Sequence, residues 1–510
     1  MKLPNTTKRY TDSNALESEE YQLSFLSHRT DRYCWRVHKS VSIRSMAVLA
    51  LVLAAGCAPD LGEKPTLVAP LSLATQKTFQ APVIEWPSDK WWESYNDSQL
   101  TSLVEEALRD SPDLKMAGAR IRGAEAMVDV QGADLLPTIF ADGALQETEA
   151  SMNQGYPQAF KSLMPRGWHH AAQLKAGFQY ELDFFGKNRA SLAAAVSEAE
   201  AAKADGAAAR LQISAAVANA YAKLMQLFAD QKEVANAIRV RFDSAKVVRR
   251  RWKAGMENEA SYGQVLAQLK SAKVEAREIE RQIATTRNQL AALLGKGPDR
   301  GRSIVLAPHQ LKAPGLPHDL AVDLIGRRPD VVAARSIAES AASRIDVAHA
   351  NFYPNADLTG YFGLQTLDAK YLIQSSSEMG AFGPAIHLPI FDYGRNTGIY
   401  KSARADYDIA AAQYDKTLTT ALREVADAYT NRQALDDEVE DERSSLKDIE
   451  NAYRILRIRY EGGFARYLDV LSAENAMLQQ RRAVADLEAN VFTADVALIR
   501  ALGGGFTEKP

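Results

Sequence analysis

The chain contains itself twice. Gly186-Lys187-Asn188 opens a long Ala-rich segment that breaks at Ala254-Gly255, and a shorter segment then closes on Leu293-Leu294-Gly295. The pattern returns at Gly394-Arg395-Asn396, Glu461-Gly462-Gly463 and Ala501-Leu502-Gly503, each glycine 208 residues after its counterpart. Val217, Ala218 and Tyr221 recur in register as Val425, Ala426 and Tyr429. Self-similarity at one offset constrains the fold more than any local motif, because both copies must take one shape and bury their apolar faces together.

The repeated segments read as helices. No proline falls between Pro165 and Pro298, or between Pro389 and Pro510. Ala, Leu, Glu, Lys, Arg and Gln dominate, the residues that lose least on entering a helix. Uninterrupted helix from Asn188 to Lys253 is ~100 Å long at ~1.5 Å per residue. Such lengths belong to coiled coils or tubes. Small residues such as Ala193, Ala194, Ala195, Ala199 and Ala202 allow close helix approach, which suits a solvated rod and a tube equally.

A second offset extends the repeat. Ser111-Pro112-Asp113 reads as a capped helix start, with Ser111 at the cap and Pro112 at the first helical position. It returns as Arg328-Pro329-Asp330, and Leu136-Pro137 returns as Tyr353-Pro354, both 217 residues on. Between Pro137 and Gly186 the first copy therefore holds nine residues more than the second. That interval alternates apolar and polar side chains. Leu174, Ala176, Phe178, Tyr180, Leu182 and Phe184 interleave with Lys175, Gly177, Gln179, Glu181 and Asp183, the period of a strand with one apolar face. Ile139, Ala141, Gly143 and Leu145 alternate before it. Leu358, Gly360, Phe362 and Leu364 do so in the second copy, followed by Phe382, Pro384, Ile386, Leu388 and Ile390. Each copy thus holds one hairpin, with polar loops from Glu147 to His170 and from Thr366 to Met379.

These strands approach the ~9–11 residues that cross a bilayer at a tilt. In hydrocarbon every backbone group must be paired, so a spanning sheet must close, and membrane barrels have at least ~8 strands. Four strands per chain leave two options: a soluble sheet, or several chains that pool their strands.

The N-terminal region favours pooling. Residues 1–40 are polar and aperiodic; Arg44 and the apolar run from Met46 to Gly56 then form a secretory signal ending at Cys57. Ala55-Gly56-Cys57 resembles a bacterial lipobox, in which the cysteine is acylated and becomes the mature N-terminus, although Ala54 stands where Leu is usual. The leader suggests a true start near Val41 or Met46. Ala58 after the cysteine resembles a signal for sorting to the outer membrane. The other cysteine is Cys34, so no disulfide scaffold is available. No run of 18 apolar residues suggests a transmembrane helix, and a net charge of −3 leaves no footprint for nucleic acid.

Taken together, the ordered motifs resemble the TolC-like outer-membrane efflux proteins, in their lipoprotein branch typified by OprM and NodT. The matching residues are Cys57, Trp91-Trp92, Pro112-Asp113-Leu114, Phe184-Phe185-Gly186-Lys187, Arg327-Arg328-Pro329-Asp330, Ile390 to Arg395, and Arg459 to Gly463 through Tyr467 to Leu471. The resemblance implies an α+β membrane protein of two internal repeats that assembles as a homotrimer. Twelve pooled strands form an outer-membrane β-barrel, and long antiparallel helical hairpins continue it as a periplasmic α-barrel. Its divisions are a leader and lipoprotein signal (1–56), an N-terminal equatorial segment (57–110), a first repeat (111–295), an equatorial linker (296–327), a second repeat (328–503) and a tail (504–510). The implied partners are outer-membrane lipid, a periplasmic adaptor and an inner-membrane pump of the resistance-nodulation-division type. No cofactor is implied. An envelope-spanning coiled-coil lipoprotein without a pore is the alternative; it has no use for lipid-facing strands. A passive porin has no use for the helices.

The resemblance also implies sites. Cys57 is the lipidation site, and the hairpin tips at Gly255, Gly462 and Gly463 dock the adaptor. The periplasmic gate falls on Leu468, Asp469, Ser472 and Asn475, which share roughly one helical stripe, with Arg466 as a partner for Asp469. Ser472 stands where many members carry a second Asp, and Asn475 where some carry Arg, which weakens the charged lock. No catalytic constellation appears. His169-His170 and His387 lack metal-ligand spacing. Gly295 to Gly301 follows a helix rather than a strand, so it reads as a helix stop instead of a phosphate loop. The acidic run from Asp436 to Glu442 reads as a solvated helix face, with Arg432 and Arg443 available for helix pairing.

Overall fold

The structure, a computed structural model, describes residues 59–68, 83–84, 86–151, 157, 164–304, 316–317 and 326–508. Cys57 and the leader lie outside the described residues. After β1 (Val83–Ile84) and a 3-10 turn (Trp91–Tyr95) come α1 (Ser98–Asp110) and α2 (Pro112–Ala133). A hairpin, β2 (Thr138–Thr148) and β3 (His169–Glu181), leads into α3 (Lys187–Lys253) and α4 (Glu259–Leu293). Short α5 (Pro298–Arg302) and β4 (Leu316–Pro317) precede the second copy: α6 (Pro329–Ala350), β5 (Asn355–Thr366), β6 (Glu378–His387), α7 (Arg395–Glu461) and α8 (Tyr467–Ala501). β1 and β4 pair in parallel.

The two copies match element by element. α3 and α7 are both 67 residues long, α4 and α8 both 35, and α2 and α6 both 22. Twenty residues, 149–168, separate β2 from β3, against eleven, 367–377, between β5 and β6; the nine extra residues lie in that first loop. The closing glycines make one contact twice. Gly295, at φ +67°, lies against the Asp110 carbonyl just before α2, and Gly503, at φ +91°, lies against the Arg327 carbonyl just before α6. Each hairpin therefore returns to the start of its own copy.

A buried clamp reinforces the second closure. Arg328 donates to the Ala501 carbonyl at 3.0 Å, to Asp330 at 2.6 Å and to Glu424 at 2.9 Å. Here Arg328 stands where the first copy has Ser111, whose hydroxyl makes no capping bond, contrary to the sequence expectation. Pro112 alone starts α2, its ring presetting φ where no amide hydrogen is needed.

The largest core lies midway along the long helices. Leu100, Leu103, Val104 and Ala107 of α1 pack on Val217, Tyr221, Leu224 and Leu227 of α3, with Trp91, Trp92 and Tyr95 completing the cluster. Asp97 caps α1 by accepting from Gln99 N at 2.8 Å and Leu100 N at 3.0 Å, and accepts from the Tyr221 hydroxyl at 2.6 Å. The N-terminal segment is thus clasped to the waist of α3, and both tryptophans are packing residues.

β2, β3, β5 and β6 form one antiparallel sheet in that order. The last strand ends at His387, earlier than its alternation suggests, so Leu388 and Ile390 fall beyond it. Pro389 has no amide hydrogen to continue a ladder. The sheet stands at the end of α3 and α7 where those helices begin, and the turns at Gly255 and Gly463 stand at the other end.

Candidate functional site

Two regions of this chain have chemistry that ordinary packing does not use. The first is the sheet. Its register aligns the four apolar sets on one face. Ile139, Phe178, Gly360 and Phe382 form one cross-strand row, and Ala141, Ala176, Phe362 and Gly380 the next. Gly143, Leu174 and Leu364 continue it. The opposite face carries Thr138, Gln179 and Thr359, then Asp142 and Lys175. Lys175 lies 3.5 Å from Asp142 and near the rings of Phe140 and Tyr361. The apolar face is not covered: Ile139 is 81% exposed, Phe382 72% and Phe362 64%. In water this would be an aggregation face; against lipid it is a matched surface. The outer edges of β2 and β6 have no strand partner among the described residues. No described helix is long and apolar enough to cross a membrane.

The second region is the pair of hairpin turns. Gly255 and Gly463 both adopt positive φ, +73° and +84°, and end α3 and α7. Gly462 is right-handed, so Gly463 alone makes the left-handed step. Asn258 caps α4 through Ser261 N at 2.8 Å. Between the turns, Arg251 donates to the Tyr460 carbonyl at 3.2 Å and lies over the Tyr460 ring at 4.7 Å. The Tyr460 hydroxyl donates to Glu257 at 3.2 Å, and burial first, then Glu257, push its pKa up to about 12. These contacts bind the two turns into one unit.

The sequence-predicted stripe lies beside this cluster, with two corrections. Leu468, Asp469 and Ser472 are exposed along one side of α8. Asn475 is half-buried and turned toward α3, where it accepts from Arg241 at 3.1 Å. Asp469 does find Arg466, but through the backbone: its carboxylate accepts from the Arg466 amide at 3.2 Å and caps α8. A helix start offers free amide hydrogens to an acid three residues in, and that geometry wins over the flexible guanidinium.

Sequence reasoning missed the group behind the stripe. Arg241 reaches Asn475 and the Gln268 carbonyl at 3.2 Å, joining α3, α4 and α8. Glu474 is fully buried, accepts from the Ser244 hydroxyl at 3.1 Å and sits 3.8 Å from Arg241 Nε. A single Glu beside Asn on a polar helix carries no signal of burial. Desolvation raises its carboxyl pKa above the ordinary 4.5, against the opposing pull of Ser244, Arg241 and Arg457. An acid raised on folding contributes stability that is present below its unfolded pKa and lost as pH climbs through its folded one. Acidification from pH 8 to pH 5 should therefore raise the melting midpoint of wild type more than that of Glu474→Gln. Scanning calorimetry at the two pH values measures this, and parallel shifts would contradict it.

The remaining candidates have structural surroundings. His170 lies 3.4 Å from Glu147, and no group of three His, Cys, Asp or Glu suited to a metal occurs among the described residues. Along the acidic run, Asp436, Asp437, Glu438, Glu440 and Asp441 are exposed. Arg432 pairs with Asp436 at 2.5 Å and with buried Asp495 of α8, and Arg443 pairs with Glu488 of α8 at 2.5 Å. The arginines do pair helices. Burial holds the Asp495 carboxyl up at about 6 in spite of Arg432.

An uncovered apolar sheet above long paired hairpins matches known proteins along nearly its whole length. The sequence profile described as "Outer membrane efflux protein" matches residues 103–296 and 320–504. The chain is 28% identical to "Probable efflux pump outer membrane protein TtgC" of Pseudomonas putida, covering 92% of this chain and 96% of that protein. It is 33% identical to "Fusaric acid resistance protein FusA" of Burkholderia cepacia, over 71% of each. The crystal structure of the outer membrane protein VceC of Vibrio cholerae superposes with a TM-score of 0.77 at 41% identity, covering 82% of this chain and 100% of that one. OprN, an outer-membrane channel, gives 0.77 at 25% identity, over 88% and 99%. The chain belongs to the outer membrane efflux protein family and serves as an outer-membrane channel.

Proposed function

We propose that three copies of this chain close into one duct, through which an inner-membrane pump and its periplasmic adaptor expel small molecules. The observation that carries this reading is that sheet and helices are open on the same two sides. α6 lies between α3 and α7 and buries eleven residues, whereas its repeat equivalent α2 packs chiefly on α3 and buries none. Residues such as Met116, Met127 and Val130 of α2 remain half exposed. Above them, β2 and β6 are the edges without a strand partner among the described residues. A second copy placed head to tail would set its α2 on this α7 and its β2 on this β6, and such contacts repeat until a ring closes. Three copies pool twelve strands, enough for a barrel. The purified protein in detergent should accordingly be a trimer by light scattering. A monodisperse monomer with an intact β signal in circular dichroism contradicts the ring.

In this reading 57–110, 296–327 and 504–510 form the belt around the waist, and 111–295 and 328–503 are the two wall repeats. The turns at Gly255, Gly462 and Gly463 point into the periplasm toward the adaptor. Leu468, Asp469 and Ser472 narrow the opening there, while Arg466 and Asn475 support them through the contacts above.

The anchor is Cys57. Residues 62–68 lie along α7, where Arg404 donates to the Gly62 carbonyl at 3.3 Å, Tyr407 to the Pro65 carbonyl at 2.8 Å, and Val68 N to Asp415 at 3.0 Å. The segment runs in the direction of α7, so tracing it backward leads toward the sheet end. From Arg404 to the helix start at Arg395 the rise is ~14 Å, and five extended residues span up to ~17 Å. A lipidated Cys57 can therefore reach the membrane boundary. Labelling with palmitate should mark wild type and leave Cys57→Ser unmarked; persistent label on the variant rejects the anchor.

A further inference from the structure

The turns hold a local excess of positive charge. Residues 246–261 and 454–469 hold nine Lys and Arg against four Asp and Glu, a net of +5 on a chain whose total is −3. Some of these cations are spoken for. Arg251 is tied to Tyr460 and Glu257, Lys246 to Asp243 and Arg457 to Glu461. Arg249, Arg250, Lys253, Arg459 and Arg466 are exposed and have no acidic side-chain partner among the described residues. Beside them the turns present two apolar side chains at equivalent repeat positions, Met256 at 62% exposure and Phe464 at 80%. Elsewhere on the long helices some cations are paired, as in Arg443–Glu488, Arg481–Glu450 and Arg423–Asp427, and others such as Lys270, Lys273 and Lys447 have no acidic side-chain partner among the described residues, so the local net charge is what sets the tips apart. The excess belongs to the tips.

We infer that the tips dock on an acidic protein surface: the end of the adaptor that meets them carries Asp and Glu around apolar contacts for Met256 and Phe464. This rests on the reading that the tips are the docking end. Five unpaired cations per chain, brought round a ring, repel one another. Carboxylates from a partner relieve that repulsion and steer its approach, while the apolar pair supplies contact area. Because the cations remain hydrated when free, their main effect is on choice of partner and rate of encounter, and it is sensitive to salt. A basic docking end would be rejected by the same field.

The test uses the whole trimer in lipid nanodiscs and biolayer interferometry. The probes are purified periplasmic adaptors whose docking ends are acidic, neutral or basic, together with vesicles containing a quarter phosphatidylglycerol. Wild type should bind acidic-ended adaptors at least ~10-fold tighter than basic-ended ones, and 0.5 M salt should remove most of that difference. Arg249→Glu/Arg250→Glu/Lys253→Glu should reverse the order, and the Gln triple variant should abolish it. Equal affinity across the adaptors overturns the inference and leaves tip docking standing. Binding to the vesicles without any preference among adaptors overturns it in favour of lipid. No binding of any adaptor to wild type overturns tip docking itself, and the inference with it. Variants that no longer assemble as trimers assign the cations to contacts between copies, which also overturns it.

Discussion

Conductance of the reconstituted trimer in a planar bilayer should rise several-fold when Leu468→Ala and Asp469→Ala are combined. Leu468 is 57% exposed just beyond the Gly463 turn, and Asp469 and Ser472 share its side of α8. In the proposed trimer three leucines around the threefold axis would make an apolar ring that resists wetting, and three aspartates a ring of like charge. Removing both widens the opening and clears the field. Asp469 also caps α8 through the Arg466 amide, so the alanine costs about 1 kcal/mol of helix stability. Leu468→Ala/Asp469→Asn keeps an acceptor at the cap and separates the two effects. If both variants are trimeric and conduct as wild type does, the constriction lies elsewhere. Arg241→Ala addresses the other restraint, because it frees Asn475, the Gln268 carbonyl and Glu474 together. Added to the double variant, it should increase the fraction of time spent open.

Gly503→Ala should be among the most damaging single methyl additions at the described glycines. At φ +91° any L side chain is strained, and the added Cβ would overlap the Arg327 carbonyl, which is backbone and cannot rotate aside. The left-handed conformation costs ~1–2 kcal/mol and the forced overlap ~1–3 more. The contact also underlies the Arg328 clamp on Ala501, so the return of α8 to its own copy should loosen. Gly295→Ala meets the same geometry at 2.8 Å from the Asp110 carbonyl and should cost less. Gly263→Ala is the control: it lies exposed within α4, its Cβ meets nothing within 4 Å, and it should stabilise by about 0.5–1 kcal/mol. Thermal midpoints and folded yield of the three variants check the order, and a Gly503→Ala protein as stable as Gly263→Ala would refute the closure argument.

Most of the fold could be read from residues that lie near one another in the chain. The repeated glycines set the helix ends, and helical propensity over tens of residues makes α3 and α7 long whatever surrounds them. Period-two alternation marked the strands and their apolar side, and the change of offset from 217 to 208 put the extra nine residues between Pro137 and Gly186. Such signals survive in one dimension because helix and strand periods are properties of the backbone. The tertiary structure decided what depends on distant residues meeting. Cross-strand register brought four separate apolar sets onto one face, and β6 stopped at His387, opposite Asn355, the first residue of β5. Asp469 went to a backbone amide in place of the Arg466 guanidinium, and Asn475 left the stripe for Arg241. Glu474 was buried although nothing beside it in sequence required that. The Asp469 cap is local to the start of α8; the other outcomes turn on pairings between residues far apart in the chain, which are chosen only when strands and helices come together.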